Sequence, residues 1–336
     1  MQSTMQRLIE LKNGDELDEY LVEEYLGQGE SKTAKAYITK DDEVIKLFIL
    51  DKSDQLFNIR YEKFKNEAAI LKLLENSQYV LNAKSDFRDT AIHNAEQKEA
   101  AYYVMERMEG NLRQLVLKED LSLAEKLDVI NQIILAMIDF HKADVCHRDL
   151  YAPNVLYRKL DEGILCKVAD FGSAKQLNVP QVVPYFFPTG NLQFTSPESV
   201  AGLIGGDKVS KDILSASDNF SLGLMMYEIL TAQNQDNITA TLASLANLAL
   251  TMGIYNPATD GIVRKDFLTE RVIPIMATAK IDTMLPSVIM STTETADELN
   301  EIMMDLLNYD YAERLSDLQG LSSKFIKIKS GLRSGQ

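Results

Sequence analysis

The hydrophobic period changes along this chain, and this change restricts the fold more than any other sequence feature. Residues 20–50 contain short apolar runs separated by turn residues, which is typical of antiparallel strands. The stretch "AAYYVM" indicates another strand, and the polar residues 82–99 before it indicate a loop. Between the two, from residue 62, a helix is predicted because apolar side chains recur at helical spacing: Phe64, Ala68, Leu71 and Leu74.

Beyond residue 109 the pattern is helical. Ser122 and Glu125 form a capping box ahead of apolar residues at helical spacing, so a buried helix is expected to lead toward His147. Ser217 and Asp218 are expected to open a second apolar helix, and "ADELNEIMMDLL" predicts a third. These signals predict an α+β chain. A small strand-rich N-terminal lobe carries one helix, and a larger helical C-terminal lobe is joined to it near residues 106–109.

Length and composition exclude several classes of function. A chain of 336 residues favours two domains or one bilobed unit, and a formal net charge of -15 repels nucleic acids and anionic membrane surfaces. We find neither a signal peptide nor an apolar run long enough to span a bilayer, so we expect no membrane insertion and a cytoplasmic location. Cys146 and Cys166 are too few for a disulfide framework, which fits a reducing compartment.

Three stretches contain residue types suited to phosphate chemistry. Lys46 is the one charged residue in "VIKLFIL"; it either pairs with Glu67 or an ATP phosphate, or it sends its head to water from an edge strand. Gly27 and Gly29 form either a turn whose N–H groups approach a phosphate or an ordinary hairpin. Asp170, in "ADFGS", follows an apolar strand.

In their order along the chain, these stretches resemble the signature set of the eukaryotic-type protein kinases, over nearly the whole sequence. The resemblance implies a bilobed protein-kinase-like fold, with a β-rich N-lobe and its single C helix over residues 21–107 and a helical C-lobe over residues 108–329. Residues 1–20 become an N-terminal extension and residues 330–336 a tail.

One stretch of the C-lobe is longer than is usual for that family. An added helical segment is expected over residues 233–294. Its apolar part, "MATAKIDTMLPSVIM", either docks a protein partner or packs onto the C-lobe.

The resemblance also implies which residues bind ATP. Gly27 and Gly29 match the nucleotide loop, with Lys32 in place of its third glycine, and Lys46 matches the phosphate lysine that pairs with Glu67. Met105 matches the gatekeeper of the adenine-binding hinge. The full expected set is Gly27, Gly29, Lys32, Ala34, Lys46, Met105, Glu106, Met108, Asn154 and Asp170.

The stretch "HRDLYAPN" resembles the catalytic loop of the family. Asp149 takes the place of the catalytic base, while Asn154 and Asp170 take the places of the magnesium ligands. Magnesium prefers oxygen ligands, and phosphoryl transfer needs mainly positioning and charge neutralisation, which fits this set. Arg148 either binds a phosphate on the activation segment, at Thr189 or Tyr185, or pairs with a nearby carboxylate.

Two further stretches resemble structural parts of the family. Asp218, in "SDNFSLG", matches an aspartate that anchors the catalytic loop. Glu198, in "SPE", matches a glutamate that pairs with an arginine, here Arg314.

The catalytic loop departs from the family pattern at Tyr151, where serine/threonine members usually have a lysine that helps to hold the γ-phosphate. Asn191 replaces the threonine that contacts this lysine. We expect the ring of Tyr151 to line the substrate side of the cleft and Lys32 to supply the missing charge. The stretches "GNLQF" and "DFGSAKQL" otherwise resemble the serine/threonine type.

The sequence therefore predicts an ATP- and Mg2+-dependent protein kinase that phosphorylates a protein hydroxyl of the serine/threonine class. Two alternatives remain open. The first is a pseudokinase that works as a nucleotide-dependent binding module. The second is a kinase-fold transferase that acts on a small molecule or moves AMP. The segment ending in "SPE" and the "SDNFSLG" helix favour a protein substrate.

Overall fold

The computed structural model describes residues 11–28, 34–50, 55–92, 98–177, 179, 194–203, 209–233, 236–256, 258–278 and 293–334. The chain divides into two compact units. The first unit comprises Met1–Asn76 and Leu81–Met108, and the second comprises Ser77–Val80 and Glu109–Gln336.

The first unit is built on one antiparallel sheet of six strands, in the order β1-β2-β3-β4-β6-β5. Its strands are β1 (Glu16–Leu17), β2 (Tyr20–Gln28), β3 (Ala34–Thr39), β4 (Glu43–Ile49), β5 (Arg88–Ile92) and β6 (Lys98–Glu106). Residues before β2 belong to this unit's core, because Leu11 and Leu17 are buried together with side chains of β2, β3, β4 and β6.

The polar composition of residues 82–99 predicts a loop, and this prediction is wrong for β5. Arg88–Ile92 pairs with β6 at the edge of the sheet, with Thr90 opposite Ala100. An edge strand with two solvated sides needs no apolar alternation, so the hydrophobic period could not show it. Polar side chains fix it instead: Arg88 pairs with Glu19 at 2.7 Å.

A single long helix, α1 (Phe57–Leu73), accompanies this sheet. Its buried residues are Phe64, Glu67, Ala68, Ile70 and Leu71, so the predicted helical period is confirmed. The Phe64 ring stacks on Phe48 of β4, with 5.5 Å between the centroids. Glu67 is the exception among these apolar residues, since a buried carboxylate requires a partner.

The second unit consists mainly of helices, with short strands between them. The strands are β7 (Gly110–Asn111), β8 (Val145–Cys146), β9 (Val155–Leu160), β10 (Gly163–Val168) and β11 (Lys175–Gln176). The helices are α2 (Leu112–Lys118), α3 (Leu123–Lys142), α4 (Pro197–Val200), α5 (Lys211–Thr231), α6 (Asp236–Thr251), α7 (Gly261–Phe267), α8 (Ile273–Ala277), α9 (Thr293–Leu306) and α10 (Leu318–Ser334). The predicted α+β class, with a strand-rich unit and a larger helical unit, is confirmed.

The start of α3 was predictable and the start of α5 was not. Ser122 and Glu125 form the expected capping box at the beginning of α3. Helix α5 begins at Lys211 with Ser210 as its N-cap, so the expectation that Ser217 and Asp218 open this helix is wrong. These two residues lie inside α5, where their side chains bind other segments of the chain rather than the end of their own helix.

The stretch from α6 to α9 packs against α4 and α5, whereas α10 packs against α3. The Tyr255 hydroxyl donates to the carbonyl oxygen of Val200 at 2.5 Å, and Arg264 donates to the carbonyl oxygen of Gly202 at 3.0 Å. Gly223 lets α9 approach α5 closely, because a Cβ atom there would lie 2.9 Å from the side chain of Leu307. Most of the apolar stretch 276–290 lies outside the described residues.

None of the helices in the described part of the chain combines the length and the apolar composition needed to cross a bilayer.

Candidate active site

The first unit contains an ion pair between its sheet and its helix. Lys46 on β4 lies in a strand whose residues on either side are buried, and its Nζ is 2.7 Å from both carboxylate oxygens of Glu67 on α1. The Glu67 side chain is 5% exposed and that of Lys46 is 21% exposed. The expected pair therefore forms, with a carboxylate that is nearly dry and an ammonium group that still reaches solvent.

Two further expected nucleotide-binding residues of the first unit, Gly27 and Ala34, lie on the same sheet. Gly27 lies near the end of β2 with φ of 149°, next to a register shift between β2 and β3, and Ala34 begins β3. Gly29 and Lys32 lie outside the described residues.

The end of β6 is fixed by a polar loop. Met105 pairs with Val44 of β4, and the Glu106 carboxylate accepts a hydrogen bond from the Asn82 N–H at 2.7 Å. Met108 is buried. These bonds hold the stretch that resembles the adenine-binding hinge in an extended form.

In the second unit, residues 147–154 form a loop that is anchored on α5. The carboxylate of Asp218 accepts hydrogen bonds from the N–H groups of His147 and Arg148, each at 2.8 Å. It also contacts Nε2 of His141 on α3 at 3.0 Å. Because Asp218 is fully buried, these three contacts compensate the loss of its hydration. They fix the backbone immediately before Asp149.

The same loop is bonded to the segment that contains Asp170. Nε2 of His147 contacts the carbonyl oxygen of Ala169 at 2.9 Å, and the N–H of Ala169 donates to the carbonyl oxygen of Asn154 at 2.8 Å. The ring of Phe171, directly after Asp170, packs on the His147 ring at 4.7 Å. The second unit therefore holds the loop of Asp149 and Asn154 against the segment of Asp170.

His147 is neutral in this arrangement. Burial lowers the pKa of its imidazole, because removal from water disfavours the charged ring. The Nδ1 atom accepts a hydrogen bond from the N–H of Asp149 at 3.3 Å, which requires an unprotonated nitrogen. With Nδ1 as acceptor, Nε2 carries the proton and donates to Ala169.

Asn154 and Asp170 present oxygen atoms at this junction. Nδ2 of Asn154 donates to the carbonyl oxygen of Asp149 at 2.8 Å, which orients the amide and leaves Oδ1 as its acceptor atom. Asp170 has a left-handed backbone, with φ of 59° and ψ of 64°, and its side chain is exposed. A non-glycine residue in this conformation indicates local strain that the surrounding bonds hold in place.

Arg148 binds the backbone of the neighbouring segment. Its Nε donates to the carbonyl oxygen of Ser173 at 2.9 Å, and the residue is 7% exposed with φ of 61°. The candidate phosphorylation sites Tyr185 and Thr189 lie outside the described residues, as does Asn191. The phosphate-binding role of Arg148 stays a prediction.

A buried ion pair anchors the segment that contains α4. Nη1 of Arg314 is 2.7 Å from Oε1 of Glu198 and Nη2 is 3.1 Å from Oε2, and both side chains are fully buried. Arg314 also donates to the carbonyl oxygen of Ala216 on α5. The expected pair therefore forms in bidentate geometry.

Some contacts at this site carry no local sequence signal. The bond between His141 and Asp218 joins residues 77 positions apart, and the pair between Arg113 and Glu228 joins residues 115 positions apart. A buried carboxylate in the middle of an apolar helix was the one available sign, since such a group needs a partner from elsewhere in the chain.

Comparison with known proteins shows which family has sequences similar to this chain. A family model described as "Protein kinase domain" matches residues 20–326. Serine/threonine-protein kinase A of Synechocystis sp. is 32% identical over 193 residues, which cover 54% of this chain and 34% of the relative. Serine/threonine-protein kinase PknA of Mycobacterium tuberculosis is 29% identical over 174 residues, covering 51% and 37%.

A third relative is the probable serine/threonine-protein kinase PknB of Lactococcus lactis, 26% identical over 222 residues, which cover 64% of this chain and 32% of that protein. This chain thus spans about a third of the length of the curated relatives it matches.

Proposed function

We propose that this chain, which belongs to the protein kinase family, transfers the γ-phosphate of ATP to a serine or threonine hydroxyl of a protein substrate. The family implies use of ATP and of a divalent metal ion. The serine/threonine class is supported by the names of the relatives and by the resemblance of the segments around Asp170 and Phe194 to that class.

One observation carries the proposal: the bonded junction in the second unit between the 147–154 loop and the segment of Asp170. The bonds of Ala169 to His147 and to Asn154 bring one carboxylate, one amide oxygen and a second carboxylate to neighbouring backbone positions. Phosphoryl transfer requires such a set, because a carboxylate must orient the attacking hydroxyl while oxygen ligands hold the metal.

The residues present fit Mg2+. Asn154 and Asp170 supply an amide oxygen and a carboxylate, and magnesium favours oxygen ligands in small numbers completed by water and phosphate oxygens. The bond from Nδ2 of Asn154 to the carbonyl oxygen of Asp149 uses the donor side of the amide and leaves its oxygen as the atom that could bind a metal ion. When bound, the metal ion would neutralise charge on the phosphates.

The chain's own residues divide the remaining work. Lys46, held by Glu67, orients and neutralises the ATP phosphates with a charged ammonium group. The Asp149 carboxylate accepts the proton of the substrate hydroxyl as that oxygen attacks, and Asp218 fixes the backbone before it. The Arg148 side chain donates a hydrogen bond from this loop to the carbonyl oxygen of Ser173, three residues after Asp170.

The test is phosphate transfer by the purified chain, with Mg2+ and an array of peptides that each contain serine, threonine or tyrosine. ATP labelled at the γ-phosphate should label peptides, whereas ATP labelled at the α-phosphate should not. Asp149→Asn should lower turnover by about a hundredfold or more, because it removes the proton acceptor. The matched control is Asp161→Asn, which changes an exposed acid in the turn between β9 and β10 and should leave the rate unchanged.

Transfer of the α-label indicates AMP transfer and refutes the proposal. If Asp149→Asn turns over as fast as the natural chain, Asp149 is not the proton acceptor. Labelling of tyrosine peptides alone contradicts the serine/threonine class.

A further inference from the structure

Four side chains from four separate stretches of the second unit meet beside the 147–154 loop. They are Arg113 on α2, Tyr151 in the loop, Phe194 before α4 and Glu228 on α5; we call this set the aromatic clamp. The rings of Tyr151 and Phe194 lie 5.4 Å apart at 35°. The guanidinium carbon of Arg113 lies 6.0 Å from the Tyr151 centroid and 5.5 Å from the Phe194 centroid.

The clamp is packed and its charge is compensated. Tyr151 is 5% exposed and Phe194 is 9% exposed, so neither ring forms an open surface. Arg113 is held over the two rings by Glu228, with Nε to Oε1 at 2.5 Å and Nη2 to Oε2 at 3.0 Å. The Glu228 side chain is 4% exposed, which fixes the carboxylate and, through it, the plane of the guanidinium group.

The clamp joins the loop of Asp149 to the segment that leads into α4. On the loop side, the carbonyl oxygen of Tyr151 accepts a hydrogen bond from the N–H of Asn154 at 2.9 Å. On the segment side, the carbonyl oxygen of Phe194 accepts from Ser221 of α5 at 3.1 Å. The backbone of Phe194 is thus bound to α5, and its ring is bound to the loop through Tyr151.

We infer that Tyr151 is a positioning residue, which holds the chain at Phe194 against the catalytic loop and so sets where a protein substrate lies relative to Asp149. This inference rests on the proposed function. It assigns Tyr151 a role that differs from that of the lysine usual at this position, because a phenol ring carries no positive charge near neutral pH and cannot neutralise a phosphate.

The surroundings favour a ring over an ammonium group at this position. A lysine at residue 151 would replace a ring that is 5% exposed with an ammonium group, and Glu228, the nearby carboxylate, is already bonded to Arg113, so the desolvation of the new cation would be costly. A ring instead stacks on Phe194 and accepts the guanidinium on its face. The clamp therefore replaces an ionic contact with an aromatic one.

The experiment compares four variants of the whole chain: Tyr151→Phe, Tyr151→Leu, Phe194→Leu and the Tyr151→Leu/Phe194→Leu double variant. Two properties are measured in each. Amide hydrogen exchange reports how firmly residues 194–200 are held and requires no catalysis. Steady-state kinetics with a peptide that the chain phosphorylates gives KM for that peptide, and nucleotide titration gives Kd for ATP.

Tyr151→Leu should raise both the exchange rate of residues 194–200 and the peptide KM about tenfold, or about 1.4 kcal/mol, while Kd for ATP changes less than twofold. Phe194→Leu should do the same. Tyr151→Phe, which keeps the ring, should raise both quantities less than Tyr151→Leu does. The double variant should resemble either single variant, since the two rings serve one contact.

If Tyr151→Leu has the same exchange rates and the same peptide KM as the natural chain, the inference is wrong. Additive effects in the double variant would also overturn it. An equal loss in Tyr151→Phe and Tyr151→Leu would assign the effect to the hydroxyl and overturn it too. If Tyr151→Leu does not fold, Arg113→Lys provides the test: it keeps the charge beside Glu228 but removes the planar group, and it should raise the same two quantities, failing which the inference is wrong.

A natural chain that transfers no phosphate refutes the proposed function instead. The exchange measurement then decides alone whether Tyr151 holds the segment.

Discussion

Removal of the Glu198 carboxylate should destabilise the second unit strongly, because it leaves the Arg314 charge buried. Both side chains of this pair are fully buried, and the two oxygens of Glu198 bind two nitrogens of Arg314. Glu198→Gln keeps the shape of the side chain but removes its charge. A buried guanidinium group without a counter-charge loses the interaction that compensated its desolvation.

The expected magnitude follows from what Arg314 retains. Breaking a buried pair typically costs about 3–5 kcal/mol. Here the guanidinium group keeps carbonyl acceptors at Ala216 and Asn308, at 2.6 and 2.9 Å, and lies 5.0 Å from the centroid of the Phe220 ring. These contacts retain part of the stabilisation, so Glu198→Gln should cost about 3 kcal/mol, at the lower end of that range.

Urea unfolding followed by circular dichroism measures this cost, in a cycle with Arg314→Met and the double variant. Arg314→Met should cost a similar amount, since it leaves the Glu198 carboxylate unpaired. The double variant should be clearly more stable than the sum of the two single losses predicts, by about 2 kcal/mol or more, because it removes both charges. A loss below about 1 kcal/mol in Glu198→Gln, or strict additivity, would refute the reasoning.

Two further predictions concern pH and helix capping. In the folded chain the pKa of the His147 imidazole lies below its ordinary value of 6.5. As pH falls below 6.5, the unfolded chain therefore binds a proton that the folded chain does not bind, and the free energy of unfolding decreases. This decrease in the free energy of unfolding should reach up to about 1.4 kcal/mol per pH unit. His147→Gln keeps a donor and an acceptor but does not titrate in this pH range, so it should reduce the pH dependence. Urea midpoints at several pH values below neutrality measure it; equal dependence in both proteins would contradict the neutral ring. Ser122→Ala should cost about 1 kcal/mol, because it removes the N-cap of α3, whereas Ser323→Ala, inside α10, should be close to neutral. Thermal unfolding of both variants gives the comparison, and equal losses would argue against a capping role.

The parts of the fold that were predictable have local causes. Phe64, Ala68 and Leu71 recur at the period of a helix, and the capping box at Ser122 depends on residues three positions apart. The prediction failed at β5, where an edge strand has no apolar face to repeat. It also failed at the start of α5, where Ser217 and Asp218 have the composition of a helix cap but bind distant segments instead.

The ion pair of the first unit was predictable for a different reason. A lysine among apolar strand residues and a glutamate on an otherwise apolar helix face each lack a reason to be buried alone. The aromatic clamp had no such signal. Tyr151 and Phe194 have ordinary apolar rings, and the sequence gives no indication of the fold that brings them together across 43 residues of chain, much of it outside the described ranges.

Helix α5 explains why the parts of the second unit keep fixed positions relative to each other. Asp218 binds the loop before Asp149, Ser221 binds the backbone of Phe194, and Glu228 binds Arg113 of the clamp. A helix rises about 1.5 Å per residue, so the anchors at Asp218 and Glu228 stand about 15 Å apart along one rigid rod. Each anchor carries a buried polar group that bonds one of these segments, and displacement of that segment removes a hydrogen bond in a nearly dry environment. The loop, the clamp and the segment before α4 therefore share α5 as a common support, to which the contact between the rings of Tyr151 and Phe194 adds a direct link between the loop and the segment.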